Sequence, residues 1–327
     1  VLDLTDDQRA LADSVRRFLA DAGLPRTGYG EARVAHDDLW RGLQQIGVVG
    51  ALAPESVGGL GLAMTDLGGV LVELGRSCYP GPFISSAVAA VTLLSSLGAS
   101  DLLSSVASGE RIATVVDRRD GSLVADAPTA DAFLVASGHT VSLVEGATVK
   151  PEPTADGSRA FGRVSAAGAQ GRVLSSAAAD AIAAARDVSL VAWAADGLGA
   201  AHAIFELARE HALAREQFGV PIGSFQAVQH ALVDAYAVLE AGKLAVQSAL
   251  AAVDSADAAE RHRATTMAGA WCCDGFAQVA GTAIQVLGGL GFTWEHDAHM
   301  YYKRLLSLQT SFGGSSAQLE ELATLTI

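Results

Sequence analysis

From Ala177 onward, helical periodicity is interrupted only at short breaks containing Gly, Pro or Ser, and this most restricts what the chain can become. The stretches 178–213, 225–253 and 257–287 each predict one long helix. Long helices joined by loops of a few residues pack side by side and antiparallel, as a bundle. Phe225, Val228, Leu232, Ala235, Leu239, Val246 and Leu250 mark the core face of the second. Shorter helices over 296–306 and 315–324 complete the C-terminal set.

The start of the chain is also helical. Thr5 and Gln8 have the spacing of a capping box, and Leu11, Val15, Phe18 and Leu19 form one apolar stripe after it. A second helical stretch runs over 37–47. The turn-rich 54–61 (PESVGGLG) breaks the pattern, which resumes over 65–76 and 85–97, on either side of Tyr79-Pro80-Gly81-Pro82. A short helix over 102–108 follows. After Gly109 the texture changes: 112–116, 132–135, 140–144 and 159–164 are short and rich in Val, Thr or Phe, and predict strands of a small antiparallel sheet. The expected fold is mainly α with a small β domain. Its parts are an N-terminal helical domain (1–109), a reduced middle β domain (110–176) and a C-terminal four-helix bundle (177–327). No internal repeat is visible.

Composition narrows the function. Half of the 327 residues are apolar and 18% are charged, enough for a large core and too apolar for global disorder. With 22 basic against 36 acidic residues, net −14, the chain repels phosphate backbones and anionic lipid, so nucleic-acid and membrane-surface roles are not expected. Lysine occurs only at Lys150, Lys243 and Lys303, so an anionic ligand must be met by arginines and backbone N–H groups. No stretch reaches the roughly 18 uncharged apolar residues expected of a membrane span. The most apolar, 181–205, contains Arg186, Asp187 and Asp196. Three cysteines, two of them the adjacent Cys272 and Cys273, cannot build a disulfide framework, and no basic leader opens the sequence. The reading is a soluble, cytoplasmic protein.

Several motifs fail their context. Gly197-Leu198-Gly199-Ala200-Ala201-His202 resembles part of a dinucleotide fingerprint, but it lies inside a helix with no strand before it. Small residues that let helices approach explain it better. No P-loop and no serine-hydrolase elbow occur. His296, Asp297 and His299 lack a further ligand at a defined spacing, so no metal site is expected. Cys272 and Cys273 read as small buried apolar residues.

Two segments stand apart. In Arg215-Glu216-Gln217-Phe218-Gly219-Val220-Pro221-Ile222, followed by Phe225-Gln226, one helix ends and another begins. Arg215 and Gln226 are thereby brought to one interhelical turn, where a guanidinium and amide donors suit a pyrophosphate. In Gln285-Val286-Leu287-Gly288-Gly289-Leu290-Gly291-Phe292 two adjacent glycines follow a helix. They leave backbone N–H groups open to a ligand, and equally suit a pair of tight helix-ending turns.

Together, RxQFGxPIxxFQ and, about sixty residues later, QxxGGxGFTWEHD resemble the acyl-CoA dehydrogenase family. The segments 54–62 (PESVGGLGL) and Glu73-Leu74-Gly75-Arg76 through Pro80-Gly81-Pro82-Phe83 also match it, so the resemblance covers nearly the whole chain. It implies an N-terminal helical domain, a middle β domain and a C-terminal four-helix bundle, with FAD shared across a subunit interface. It implies that Arg215, Gln217, Phe218 and Gln226 contact the FAD of a neighbouring subunit, and that Gln285, Gly288 and Gly289 bind its ADP half.

The sequence departs from the family where the chemistry is done. The family reaction removes a proton from the α carbon of an acyl thioester and passes a β hydride to the flavin, which needs a carboxylate base. In Ser311-Phe312-Gly313-Gly314-Ser315-Ser316, Gly313 stands where many members carry that Glu. Ser189 stands at the alternative position, early in the first bundle helix. Asp187 is two residues away, about 200° around a helix axis, and is a poor substitute. Glu320 and Glu321 do not align. The middle region is short, lacks the segments that cover the flavin ring in relatives, and has only Phe133 and Phe161 as aromatics. These departures suggest one subunit of an α2β2 complex, as in bacterial steroid breakdown. A homologous catalytic subunit would hold the base and the acyl-CoA, while this chain completes the FAD site. Two alternatives stay open: a self-sufficient enzyme using Asp187 or another base, and a non-catalytic assembly protein.

Overall fold

The first helix begins as its spacing predicts: Gln8 N–H donates to Thr5 Oγ1 (3.3 Å) and Thr5 N–H to Gln8 Oε1 (3.0 Å), so two orphan donors are satisfied at once. The computed structural model describes residues 2–26, 34–117, 123–166, 169 and 171–326. Helix α1 (Asp6–Asp21) is followed by α2 (Val34–Ile46) and α3 (Met64–Arg76). The stretch expected as one helix over 85–97 is two: a π-helix, Phe83–Ala90, runs directly into α4 (Val91–Leu97). Every residue of the π-helix is buried. Helix α5 (Ser100–Ala107) closes the N-terminal part.

The middle region differs from the single antiparallel sheet expected. Its strands are β1 (Ala113–Asp117), β2 (Val124–Ala125), β3 (Ala132–Ser137), β4 (Thr140–Val144), β5 (Thr148–Glu152), β6 (Phe161–Ser165) and β7 (Gly171–Ser175). One sheet has the order β1-β3-β4-β7, the other β2-β6-β5. β1 runs parallel to β3, with Ala113 opposite Ala132, because the chain between them crosses to the second sheet through β2 instead of turning back. Val124, Phe133 and Val144 are buried in a small core of their own. Leu134, Val141 and Leu143 pack with Leu93, Leu94, Leu102 and Leu103 of α4 and α5.

Helices α6 (Ala179–Ala214), α7 (Gln226–Val253), α8 (Ala258–Leu287) and α9 (Ala298–Thr310) form the bundle, and α10 (Gly314–Thr326) lies against α8. Between α6 and α7 is a small hairpin, β8 (Glu216–Gln217) and β9 (Val220–Pro221). Asp257 caps α8 by accepting from Ala259 N–H (2.9 Å) and Glu260 N–H (3.2 Å). The sequence reading of membrane propensity needs correction: α6 and α8 are both long and apolar enough to cross a bilayer, judged by length and composition. In the fold, 83% of the most apolar stretch of α6 is buried as the central core helix.

Glycines set the closest helix crossing. A Cβ on Gly199 would lie 1.9 Å from Val72 O, and one on Gly75 would lie 1.8 Å from Asp196 O, so α3 and α6 touch backbone to backbone. The Gly197–His202 tract is therefore a packing surface.

A buried ionic cluster joins all three parts of the chain. Arg304 of α9 donates from Nε and Nη2 to the two oxygens of Asp196 on α6 (2.9 and 2.6 Å), from Nη1 to Ser158 Oγ (2.8 Å) and from Nη2 to Tyr79 O (3.1 Å). Arg159, just before β6, donates to Asp196 Oδ1 (2.6 Å), and its guanidinium lies 3.7 Å from the ring centroid of Trp193. Burial alone would raise the Asp196 carboxyl, but Arg304 and Arg159 outweigh it and hold it below the usual carboxylate range. Asp196→Ala leaves two guanidiniums buried without their acceptor, and the expected loss is about 3–5 kcal/mol of unfolding free energy, read as a lower urea midpoint. Arg41→Ala, at the exposed Arg41–Asp38 pair, is expected to leave the midpoint unchanged.

Candidate functional site

A cavity of about 910 Å³ opens between the middle region, the π-helix, the first half of α6 and the α9–α10 turn. Its wall includes Ser85, Phe161, Ser189, Trp193, Phe312 and Gly313. The fold thus brings together the two positions, Ser189 and Gly313, where the resemblance places a catalytic base. Neither is a carboxylate. Ser189 Oγ donates to Ala185 O (2.6 Å) on its own helix. Gly313 has φ 83°, and a Cβ there would lie 2.8 Å from Ala317 Cβ, so the turn itself favours glycine.

Asp187 is buried on the other side of α6. Its Oδ2 accepts from Arg261 Nε (3.1 Å), and its Oδ1 lies 2.9 Å from His262 Nδ1 and accepts from Thr265 Oγ1 (3.2 Å). Both oxygens face α8, and Asp187 is not part of the cavity wall. Glu320 is exposed. Glu321 faces His262 Nε2 (3.1 Å) and Arg186 (3.7 Å).

Two acidic groups near the cavity escaped the sequence reading. Asp156 is on its wall, with Oδ1 accepting from Ser158 N–H and Oγ. Asp126 is buried directly behind Ser85 and accepts from Ser85 Oγ (2.6 Å). Burial pushes Asp126 up to about 6, against the opposing pull of the Ser85 hydrogen bond and of Arg159 and Arg304. No local signal could have found this pair, whose members are 41 residues apart in sequence.

The expected cofactor residues gather elsewhere. Arg215 ends α6, its N–H donating to His211 O (2.8 Å) and its carbonyl accepting from Ile222 N–H (2.7 Å). The hairpin turn holds Phe218 (φ 55°) and Gly219 (φ 81°), two consecutive positive φ values as tight hairpins require. Phe218 is 94% exposed and meets the Phe225 ring edge-on at 6.1 Å. Gln226 starts α7. Helices α6 and α8 run in the same direction, since Gly269 packs on Leu190 and Gly197 on Phe276. Gln285, Gly288 (φ 60°) and Gly289 therefore lie at the same end of the bundle as Arg215, all exposed. Gln217 Nε2 donates to Glu216 O (2.7 Å), whereas the side chains of Arg215, Gln226 and Gln285 are uncommitted among the described residues. Uncommitted guanidinium and amide donors on open backbone turns fit an anionic pyrophosphate.

The loop after Gly289 is held by Arg26, which donates to Trp294 O (3.0 Å) and Glu295 O (2.7 Å) and pairs with Asp297. His299 is buried and packs edge-on against Trp294 at 4.7 Å. Among the described residues no cluster of His, Cys, Asp and Glu could hold a metal ion.

Distance separates the two regions. Ser189 and Arg215 both lie on or at the end of α6, about 40 Å apart at roughly 1.5 Å per residue, farther than an extended dinucleotide reaches.

Asp126 generates a pH test. The folded chain keeps its proton up to about pH 6, while an unfolded chain releases it near 3.8, so the folded state binds more protons in that window and stability falls as pH rises through it. The size is on the order of 3 kcal/mol. Asp126→Asn is expected to raise the melting temperature relative to the parent above about pH 6, with the gain vanishing near pH 4. Thermal unfolding across pH checks it.

Two family models match the chain: the acyl-CoA dehydrogenase N-terminal domain over residues 5–108 and the acyl-CoA dehydrogenase C-terminal domain over residues 179–325. Acyl-CoA dehydrogenase IpdE2 of Mycolicibacterium smegmatis is 31% identical over 294 residues, covering 89% of this chain and 89% of that protein. Among solved structures, a variant of the Tcur3481–Tcur3483 steroid ACAD superposes with a TM-score of 0.87 at 26% identity, covering 98% of both chains. The ChsE4–ChsE5 complex from Mycobacterium tuberculosis superposes with a TM-score of 0.81 at 27% identity, covering 98% of this chain and 97% of that one. With the helical ends, the intervening β region and both loop motifs in place, the chain belongs to the acyl-CoA dehydrogenase family.

Proposed function

We propose that this chain is the partner subunit of a mixed, α2β2 acyl-CoA dehydrogenase acting in the cytoplasm on a bulky, steroid-type acyl-CoA. In this reading it completes an FAD site seated mainly in a homologous catalytic subunit. One observation carries it: the cavity holds Ser189 and Gly313 where the family carries its base, while the cofactor end of the bundle keeps uncommitted donors. The helical separation of these regions supports sharing, because one dinucleotide cannot reach both within one chain. The similar structures named as the Tcur3481–Tcur3483 steroid ACAD and the ChsE4–ChsE5 complex support a heteromeric assembly and a steroid-related substrate.

FAD supplies the hydride acceptor when bound. Arg215 meets the charge of its pyrophosphate, Gln226 and Gln285 present amide groups, and the Gly288–Gly289 backbone allows close approach. Phe218, projecting into solvent, inserts against the neighbouring subunit. Val233, Tyr236 and Leu244 on α7, with Met267 and Trp271 on α8, are exposed apolar groups suited to the same interface.

The chain purified alone is expected to be colourless, and co-expressed with a homologous catalytic subunit to give a yellow, active mixed tetramer. An active, FAD-loaded homo-oligomer of this chain alone overturns the reading. In the mixed complex, Arg215→Ala removes a charge-assisted hydrogen bond worth roughly 1.5–3 kcal/mol, so FAD is expected to bind roughly ten- to a hundredfold more weakly. Asp187→Asn is expected to lower the melting temperature without abolishing turnover. Loss of turnover in a folded Asp187→Asn complex would point to Asp187 as the base.

A further inference from the structure

Among the described residues, each buried aspartate but one has an arginine beside its carboxylate. Asp187 and Asp196 accept from arginines, and Asp156 Oδ2 lies 3.6 Å from Arg159 Nε. Asp126 sits between β2 and β3 in the left-handed conformation (φ 56°) and is 7% exposed. Among the described residues no cation lies within ion-pair distance of it, and Ser85 is its one side-chain partner. Burying a carboxylate without a counter-charge is costly, and a group held this way beside a cavity marks a candidate site.

Ser85 belongs to the π-helix and to the cavity wall. The π-helix is tied to the middle region by Ala113 N–H donating to Ser86 Oγ (3.2 Å), so Ser85 is presented by a fixed segment. A hydroxyl has one hydrogen. Ser85 Oγ lies 2.6 Å from Asp126 Oδ2 and 3.2 Å from Pro82 O, and an ionised carboxylate at the shorter distance takes that hydrogen. The Ser85 oxygen then offers only lone pairs to the cavity. Ser189 and Thr114 also spend their hydrogens, on Ala185 O and Ala125 O. Ser85 differs from them because the charge behind it strengthens its oxygen as an acceptor. The wall around Ser85 includes the apolar Ala89, Val115, Trp193 and Leu306, while Arg163, Arg186 and Lys303 are also part of the cavity lining.

We propose that this cavity binds a bulky apolar molecule carrying a hydroxyl group, and that the Ser85–Asp126 pair accepts the hydroxyl hydrogen and so discriminates against the matching ketone. The ligand is held without reaction, since neither Ser189 nor Gly313 supplies a base. The inference concerns the chain's own cavity and stands whether or not FAD is shared with a partner. Among the described residues, the charged and titratable groups around Asp126 are Tyr79, Arg159 and Arg304. With Asp126 pushed up to about 6, the pair is in its accepting form in slightly alkaline buffer.

The test titrates the full chain, in the assembly in which it purifies, with decalol and with decalone in slightly alkaline buffer by calorimetry. Decalol is expected to bind roughly tenfold more tightly than decalone, the ratio expected from one good hydrogen bond. Ser85→Ala is expected to bring the two affinities together. Asp126→Asn, which replaces the charged acceptor by a neutral one, is expected to shrink the preference. Thermal unfolding shows that both variants are folded. The proposal is overturned if neither compound binds, if the parent chain does not discriminate, or if the preference for decalol survives Ser85→Ala intact.

Discussion

The bidentate pairing of Arg304 with Asp196 is the contact on which the rest of the structure depends. It joins α9 to α6 in the core of the bundle and also reaches the carbonyl of Tyr79 and the hydroxyl of Ser158. Both side chains are 2% exposed, so desolvation opposes their charges. The pair persists because each guanidinium and carboxylate direction meets a partner. Burial would lower the Arg304 guanidinium, yet Asp196 holds it above its usual range. Arg159 adds a second guanidinium to the same carboxylate and stacks on Trp193. The cavity wall formed by Trp193 is therefore braced from behind by the cluster that locks the middle region to the bundle.

Helix α6 then organises the function. Its first half walls the cavity, and its C-cap, Arg215, leads into the hairpin that carries Phe218. A single long helix keeps these regions far apart and oriented by its own stiffness. A chain built this way has a cavity beside the first half of α6 and uncommitted donors near its far end.

How much of this was legible follows from the range of the interactions. The capping box at Thr5 and Gln8 depends on residues three positions apart and appears as its spacing implies, whereas the tight hairpin at Phe218-Gly219 was read only as a helix-to-helix turn. The mismatch of Asp187 was also legible, because a rotation of about 100° per residue turns it away from the Ser189 side of α6. The β region was not. β2, β5 and β7 are short, and Ala, Lys, Pro and Gly dilute their pattern, so their pairing depends on strands far along the chain. The π-helix was read as ordinary helix because its wider turn changes the backbone hydrogen bonding without changing the apolar composition.

The sequence by itself determined the number and order of the long helices, the loop chemistry at Arg215 and Gly288, and that Ser189 and Gly313 carry no carboxylate. These are properties of local backbone preference and of single positions. Only the tertiary structure decided that Ser189 and Gly313 share one cavity, that Asp187 is consumed by Arg261 and His262, and that Asp126 has Ser85 as its side-chain partner among the described residues. Whether a carboxylate is paired, buried or poised depends on partners tens to more than a hundred residues away. In a low-dielectric interior those partners decide its protonation.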